Sequence, residues 1–138
     1  MMYYEEEFPV RYYETDQMGV VHHSNYIRFF ELARNQMMAA VGFPIWVCER
    51  DYHVMIPIVS VTCHFKHPAR MGDTLRAVAM IDKVPQAKLT IRQQVWNQNG
   101  ELCAEGEVLL GFIDSATFHP CRCPEPLATI IENHLGDR

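Results

Sequence analysis

Residues 13–26 read Tyr-Glu-Thr-Asp-Gln-Met-Gly-Val-Val-His-His-Ser-Asn-Tyr and lead directly into an apolar segment with helical spacing. From Ser24 onward, apolar side chains recur at steps of three and four residues: Tyr26, Phe30, Ala33, Met37 and Val41. This spacing places them on one face of a helix. Ser24 or Asn25 suits the N-cap, and Gly42 suits the left-handed residue after a helix. The sequence predicts a long apolar helix over 24–41, preceded by a loop that carries Asp16.

A carboxylate just before a helix start can have a chemical role. The first backbone N–H groups of a helix have no partner inside it, and the helix dipole adds partial positive charge there. Such an end can stabilise an oxyanion on a carbonyl, while a nearby carboxylate attacks that carbonyl or activates a water. An isolated Asp-x-x-Gly is more often an ordinary turn, so the loop alone leaves both interpretations open.

The segment 11–34 resembles the signature of the 4-hydroxybenzoyl-CoA thioesterase family of hotdog-fold proteins. The likeness lies in an acidic-Thr-Asp run, a glycine, two apolar residues, a His pair and an Asn-Tyr helix start, with weaker pieces at 42–46, 57–60 and 71–73. The resemblance implies that Asp16 is the catalytic carboxylate. It also implies that His23 supplies a backbone N–H to polarise a thioester carbonyl. Three more residues of this motif are predicted at the site: Gly19, Asn25 and Tyr26.

Other parts of the chain are predicted to bind the substrate. His22 stands where relatives often carry an aromatic residue, and we assign it to the wall of the acyl pocket. The resemblance places 57–62 at the reaction site, where the hydroxyls of Ser60 and Thr62 can orient a water or the acid. For the CoA phosphates we predict four basic residues around one turn and its neighbouring strand: Lys66, His67, Arg70 and Arg92.

Two alternatives to these roles follow from ordinary side-chain chemistry. Imidazole groups commonly serve as bases in enzymes, so the side chain of His22 or His23 is an alternative base. Glu31 lies one turn deeper on the helix, where basic residues at spacing three favour a role in surface pairing.

Composition restricts the class of protein. A chain of 138 residues with 49% hydrophobic and 21% charged residues suits one globular domain. The resemblance implies that this is a single hotdog thioesterase domain over 1–138. The net charge of −5 argues against a nucleic-acid binder with a basic surface. No apolar run reaches the ~18 residues of a membrane span. The N-terminus is acidic where a signal peptide would be basic, so we expect a cytoplasmic protein.

The five cysteines predict neither a disulfide framework nor a metal site. An odd number in a chain of this size favours free thiols, and Cys48, Cys63 and Cys103 lie in apolar surroundings. Cys121 and Cys123 lie near His119, but the second cysteine pair of a structural zinc site is missing from the sequence. We therefore expect no metal and no cofactor; the CoA thioester is the substrate.

The remaining pattern alternates with the period of strands. We predict strands over 7–14, 55–66, 74–84, 88–96 and 101–113, a linker with a short helical turn over 43–51, and a terminal helix over 127–135. The last four strands are predicted to form consecutive hairpins, the strongest turn signal being Asn99-Gly100. One apolar helix buries most of its surface if an antiparallel sheet wraps around it. The predicted fold is therefore α+β, the hotdog arrangement that the resemblance also implies.

The assembly and the substrate of the protein can also be considered from the sequence. Edge strands invite pairing with a second copy, and the resemblance implies a homodimer or tetramer with active sites shared between subunits. Two other functions remain open, a non-catalytic acyl-CoA-binding module and a dehydratase of hydroxyacyl thioesters. The acyl group, the choice between CoA and an acyl carrier protein, and the role of Asp16 as nucleophile or general base are also left open.

Overall fold

The computed structural model describes residues 1–136, which form a five-stranded antiparallel sheet, a two-stranded sheet and three α-helices. The strands are β1 (Met2–Pro9), β2 (Val54–Met55), β3 (Ile58–Phe65), β4 (Thr74–Ile81), β5 (Lys88–Trp96), β6 (Leu102–Gly111) and β7 (Ile113–Asp114). The helices are α1 (Ser24–Ala40), α2 (Ile45–Tyr52) and α3 (Glu125–Gly136), with a short 3-10 helix at Tyr12–Glu14.

The large sheet has the strand order β1-β4-β5-β6-β3 and packs against α1. The helix contacts β1, β3, β4 and β5. Its buried residues, including Phe29, Phe30, Ala33 and Met37, meet the sheet residues Leu75, Ala77, Ile91 and Val95 in one core cluster. This is the predicted α+β arrangement of an antiparallel sheet around one long helix.

Helix α1 begins at Ser24 as predicted and ends at Ala40, one residue before the predicted end. Gly42 has φ +79°, and the Gly42 and Phe43 N–H groups donate to the carbonyls of Ala39 and Met38, which closes the last turn. The N-cap is His23, so the prediction of Ser24 or Asn25 was wrong. The reason is that the hydroxyl of Ser24 meets His22 and the amide of Asn25 turns inward, away from the helix N–H groups.

Arg34 is one of the basic residues at spacing three from Glu31 that were predicted on the surface of α1, but it is only 4% exposed. Strand β5 presents Gln93 to the helix, and Gln93 Oε1 accepts a hydrogen bond of 3.4 Å from the Arg34 guanidinium. Gln93 Nε2 donates in turn to the Phe30 carbonyl at 2.6 Å. A buried polar contact between helix and sheet therefore replaces the expected solvated charge, and burial lowers the pKa of Arg34.

The predicted first strand over 7–14 was wrong. The strand runs from Met2 to Pro9 and buries Met2 and Phe8, while the aromatic residues at 12–13 enter the 3-10 helix. Glu14 causes this turn, because its buried carboxylate accepts hydrogen bonds from the Arg11 backbone N–H at 2.7 Å and the Arg11 guanidinium at 2.9 Å. The tight loop leaves no extended backbone to continue the strand.

The prediction of consecutive hairpins holds for β4-β5-β6 and fails for β3. Strand β3 pairs with β6, with Thr62 opposite Glu107, while β4 pairs with β1. The predicted strand over 55–66 breaks at Ile56-Pro57, and the strand over 101–113 breaks at Phe112. The segment 43–51, predicted as a linker with a short helical turn, contains most of the eight-residue helix α2, which runs from Ile45 to Tyr52. The strand over 88–96 is confirmed, and the helix predicted over 127–135 forms as α3 with slightly wider bounds.

Strand β3 is an edge of the large sheet and is far more exposed than predicted. Within residues 1–136, no strand pairs with its outer edge. Ile58, Val59 and Phe65 are 47%, 52% and 56% exposed. An exposed apolar edge strand is the kind of surface on which a second chain can add.

The cysteines are free thiols, as the sequence predicted. Cys48, Cys103 and Cys123 are buried free thiols, while Cys63 and Cys121 are half-buried. Over the described part of the chain, no group of His, Cys, Asp and Glu has the arrangement of a metal site. None of the helices in residues 1–136 has both the length and the apolar character needed to cross a membrane.

Candidate active site

Asp16 lies at the start of a tight turn that closes a small hairpin before α1. The Asp16 N–H donates to the Val20 carbonyl at 2.9 Å, and the Gly19 N–H donates to the Asp16 carbonyl at 3.0 Å. Gly19 has φ +75°, the left-handed conformation that this kind of turn requires. One carboxylate oxygen, Oδ1, accepts the Met18 N–H at 2.8 Å. Among the described residues nothing bonds to Oδ2, so this oxygen remains available for chemistry.

Two further bonds join this hairpin to the chain that follows β3. The Val21 N–H donates to the Ala69 carbonyl at 2.8 Å, and the Met71 N–H donates to the Gly19 carbonyl at 3.3 Å. Val20 and Arg70 form an isolated antiparallel bridge in the same place. The carboxylate is therefore held on a short, paired piece of backbone and not on a free loop.

Asn25 fixes the hairpin to the helix. Its Nδ2 donates a buried hydrogen bond of 2.8 Å to the Glu14 carbonyl, which also accepts the His22 N–H at 2.9 Å. The Glu14 side chain is in turn anchored by Arg11, with the ion pair at 2.9 Å. The Glu14 hydrogen bond raises the pKa of Arg11, so the guanidinium stays charged through the neutral range. This chain of contacts sets the distance between the Asp16 turn and the start of α1.

The start of α1 leaves the His23 backbone N–H available. The Ser24 N–H donates to His22 Nδ1 at 3.2 Å, the Asn25 N–H to the His22 carbonyl at 3.0 Å, and the Tyr26 N–H to the His23 carbonyl at 3.3 Å. Within residues 1–136, no acceptor meets the N–H of His23. A free N–H at the positive end of a helix is the group that can receive an oxyanion.

Asp16, His23 and Tyr26 line one open pocket of about 280 Å³. The other lining residues are Val21, Phe65, Lys66, His67 and Pro68. The Tyr26 hydroxyl accepts the Ala69 N–H at 3.3 Å, and burial raises the pKa of this phenol. Phe65 closes one side, with its ring 5.4 Å from that of Tyr26 and 6.3 Å from that of His23. The pocket combines a carboxylate, a free helix N–H and an apolar wall.

Several predicted residues lie outside this pocket in the single chain. Thr62 is on the sheet face opposite α1, where its hydroxyl accepts the Glu107 N–H at 3.0 Å. Ser60 is exposed on the same edge strand and does not line the pocket. The His22 ring stacks beside that of His23 at 4.1 Å but is also not among the lining residues. Neither Gly19 nor Asn25 lines the pocket: Gly19 shapes the hairpin through its left-handed backbone, and Asn25 holds the hairpin through its side-chain amide.

The predicted basic cluster is split. Lys66 and His67 lie at the mouth of the pocket, where Lys66 is 3.8 Å from Glu105 and His67 is 3.3 Å from Glu101. Arg70 belongs to the paired backbone beside the Asp16 hairpin, and its side chain is exposed. Arg92 lies elsewhere: its guanidinium is 2.6 Å from Asp82 and lines a separate cavity at the β4–β5 turn.

The sequence did not single out Phe65 and Glu14 as residues of the site. The strand pattern assigned Phe65 to a half-buried sheet face, and only the position of β3 at the sheet edge shows that its ring faces His23. Glu14 gave a signal in the sequence, because an acidic residue three positions after Arg11 has the spacing of a short capped turn.

Comparisons with known proteins show thioesterase relatives of this chain. The family model of the thioesterase-like superfamily matches residues 10–131. The acyl-CoA thioester hydrolase YbgC of Escherichia coli is 32% identical over 122 residues, 87% of this chain and 90% of that protein. YneP of Bacillus subtilis is 30% identical over 115 residues, 83% of either chain.

Among solved structures, the DHNA-CoA thioesterase of Staphylococcus aureus is 27% identical with a TM-score of 0.86, covering 99% of this chain and 95% of that chain. These matches confirm the hotdog fold, the resemblance drawn from residues 11–34 and the expected class of enzyme, a thioester hydrolase. The chain belongs to the thioesterase-like superfamily.

Proposed function

We propose that this protein hydrolyses acyl-CoA thioesters to a free acid and CoA. The observation that carries the proposal is that one pocket is lined by Asp16 and by His23, whose backbone N–H meets no acceptor among the described residues. A thioester carbonyl supplies both groups that this pocket needs: an oxygen that accepts the His23 N–H and a carbon that is open to attack. The name of the E. coli relative, an acyl-CoA thioester hydrolase, supports the same substrate class.

In the proposed reaction the thioester oxygen accepts a hydrogen bond from His23 N–H. Negative charge that develops on this oxygen is stabilised by the N–H and by the helix dipole. Asp16 either removes a proton from a water that attacks the carbonyl carbon, or attacks that carbon itself through Oδ2. The carbon–sulfur bond then breaks and the CoA thiolate leaves, needing less acid catalysis than an amine would. In the second route, water hydrolyses the resulting mixed anhydride and regenerates the carboxylate.

The remaining predicted groups have proposed roles at the edges of this reaction. Lys66 and His67 stand at the mouth of the pocket, where they can bind the CoA phosphates. Ser60 and Thr62 lie on the exposed edge strand, away from the pocket of their own chain. A dimer that pairs two copies of β3 would place them beside the pocket of the partner subunit, as expected for active sites shared between two chains.

Thiol release tests the proposal. Wild type and Asp16→Asn are incubated with acyl-CoAs from acetyl to palmitoyl, plus benzoyl-CoA and hydroxybenzoyl-CoA, and free CoA is captured with a chromogenic disulfide. The protein's own cysteines are titrated first, because Cys63 and Cys121 are partly exposed. Wild-type turnover that is lost in the variant supports the proposal. Tight binding without thiol release would instead indicate an acyl-CoA-binding module, and loss of water from a hydroxyacyl-CoA without thiol release would indicate a dehydratase.

A single turnover in ¹⁸O-water can identify direct attack. With enzyme in excess, ¹⁸O in the Asp16 carboxylate and an unlabelled acid show that Asp16 attacked first and that water then attacked the Asp16 carbonyl carbon of the mixed anhydride. Label in the acid alone fits general-base catalysis and also fits direct attack followed by addition of water to the acyl carbon of the anhydride. Mass spectrometry of the acid-quenched protein separates these two, because only direct attack adds the mass of the acyl group to the peptide that contains Asp16.

A further inference from the structure

A second cavity lies at the opposite end of strand β3 from the Asp16 pocket. It is an apolar groove of about 330 Å³ between α2 and the β2–β7 sheet. Its walls are Ile45, Val54, Met55, Ile56, Pro57 and Ile113, with Glu49 as the one charged lining residue. These seven residues form the α2 groove. Such a volume, lined by aliphatic side chains, falls in the range of small-molecule sites.

The two cavities lie at opposite ends of β3. The Asp16 pocket contains Phe65, the last residue of the strand, and the α2 groove contains Pro57, which precedes its first residue. Eight extended residues span roughly 25 Å at the usual rise of a strand. Within one chain, an acyl group bound to His23 is therefore too far from the groove to enter it.

Pairing of two chains removes this separation. The outer edge of β3 is unpaired over the described residues, and its exposed apolar side chains Ile58, Val59 and Phe65 would be covered by a second copy. A two-fold axis makes the same strand pair with itself, so the two copies of β3 run antiparallel. The Phe65 end of one chain then meets the Ile58 end of the other. In a continuous sheet both helical layers stay on one face, and α1 and α2 are in contact within that layer.

We propose that the α2 groove of one subunit binds the acyl chain of the thioester that reacts at Asp16 of the partner subunit. This inference rests on the proposed function and adds the acyl class to it. Apart from Glu49, the groove is lined by aliphatic side chains and one proline, so most of its wall offers no hydrogen-bond partner to the ring hydroxyls of a hydroxyaroyl group. They suit an unbranched aliphatic chain, and Glu49 disfavours an acyl group that ends in a carboxylate.

The chain-length profile carries the signature of such a groove. Each methylene buried in an apolar site improves binding by about fourfold. We expect kcat/KM to rise by up to that factor per methylene from butanoyl-CoA upward, until the groove is full, and then to level off or fall. Benzoyl-CoA and hydroxybenzoyl-CoA should be poorer substrates than octanoyl-CoA or decanoyl-CoA.

Filling the groove should shorten the preferred chain. Ile45→Trp places a large ring at the first residue of α2, on the groove wall. We expect the ratio of kcat/KM for decanoyl-CoA to that for butanoyl-CoA to fall at least about tenfold, the loss of two buried methylenes. Arg50→Trp is the matched control, because Arg50 is exposed on the same helix and does not line the groove. Met55→Trp, on the opposite wall, serves if Ile45→Trp does not fold.

A mixed dimer tests whether the groove acts across the interface. One chain carries Asp16→Asn with an open groove, the other carries Ile45→Trp with an intact Asp16, and the heterodimer is purified through two different tags. The Asp16→Asn homodimer should be inactive, and the Ile45→Trp homodimer should hydrolyse only short-chain acyl-CoAs. The heterodimer should recover about half of the wild-type decanoyl-CoA turnover per dimer, because one of its two sites combines an intact Asp16 with an open groove.

The outcomes separate this inference from the function on which it rests. Recovery of decanoyl-CoA turnover in the heterodimer supports the inference. A heterodimer limited to short chains, a profile that Ile45→Trp and Met55→Trp leave unchanged, or a protein that is active as a monomer overturns it and leaves the hydrolase in place. A wild-type protein that releases thiol from none of the acyl-CoAs overturns both.

Discussion

Removal of the Asn25 amide should slow catalysis through the position of Asp16. Asn25 is 7% exposed, and its Nδ2 donates at 2.8 Å to the Glu14 carbonyl, two residues before Asp16. In Asn25→Ala that carbonyl keeps the His22 N–H at 2.9 Å, so it is not left without a donor. The free energy of unfolding should therefore fall by only about 1–2 kcal/mol, the range for one buried hydrogen bond.

The effect on rate should be larger than this loss of stability suggests. Without the amide, the Asp16 hairpin can move relative to the His23 N–H, and a displacement of about 1 Å can cost 10²-fold in rate. We expect kcat to fall between about 10- and 100-fold, with a smaller change in KM, because Lys66 and Phe65 of the pocket are untouched. Steady-state thiol release gives both constants, and thermal unfolding at matched protein concentration gives the stability.

Asn35→Ala provides the matched control for this prediction. Asn35 lies on the same helix but is exposed, so its truncation should leave kcat unchanged and alter stability by less than about 0.5 kcal/mol. If Asn25→Ala is destabilised by the expected amount but keeps kcat within about twofold of wild type, the bond is only structural. The argument that it positions Asp16 would then be refuted.

Two other predictions concern the framework around the site. A Cβ on Gly106 would lie 1.9 Å from the Thr62 carbonyl oxygen, so Gly106→Ala should separate β3 from β6. We expect the free energy of unfolding, measured with urea, to fall by more than about 3 kcal/mol and amide exchange in β3 to become faster. Amide exchange at the wild-type rate would contradict the pairing of these strands. Burial raises the pKa of the Cys48 thiol to about 11 and that of Cys123 to about 12, above the ordinary 9.0. Because the folded pKa values lie above the unfolded ones, the free energy of unfolding should be intact below about pH 9 and fall as the pH rises toward 11–12. The fall should be less steep in Cys123→Ala. An equally steep fall in wild type and variant would contradict the raised pKa of the Cys123 thiol.

The local parts of the fold could be predicted because short-range physics decides them. The spacing of Tyr26, Phe30, Ala33 and Met37 sets the buried face of α1, and Gly42 ends the helix through its left-handed conformation. The turn residues Asn99-Gly100 likewise predicted the β5–β6 hairpin, which the structure contains. In each case the residues that determine the structure lie within one helix or one turn.

The errors came from contacts between distant parts of the chain. Pairing of Thr62 with Glu107 joins residues 45 positions apart, and the alternation of β3 does not show which neighbour it will have. Arg34 has the pattern of a surface residue, and only Gln93 on β5 explains its burial. The first strand was misplaced because its aromatic residues favour strands, whereas the hydrogen bond that the Arg11 N–H donates to the Glu14 carboxylate imposes a turn.

The candidate site divides in the same way. Asp16, His23 and Tyr26 come together because one hairpin and one helix start hold them, and the sequence motif contained all three. Ser60 and Thr62 cannot be joined to them within a single chain, since they lie on the edge strand outside the pocket. Their predicted role depends on a second copy, and the pattern of one chain carries no information about the register of that pairing.

The central claim, that Asp16 performs the chemical step beside the His23 N–H, is tested most directly by comparing binding and turnover in Asp16→Asn. Asparagine keeps the oxygen that accepts the Met18 N–H at 2.8 Å, so the turn should survive. We predict that calorimetry will find a nearly unchanged affinity of Asp16→Asn for the preferred acyl-CoA, while thiol release slows by roughly 10²–10⁴-fold. Near wild-type turnover in this variant would contradict the account.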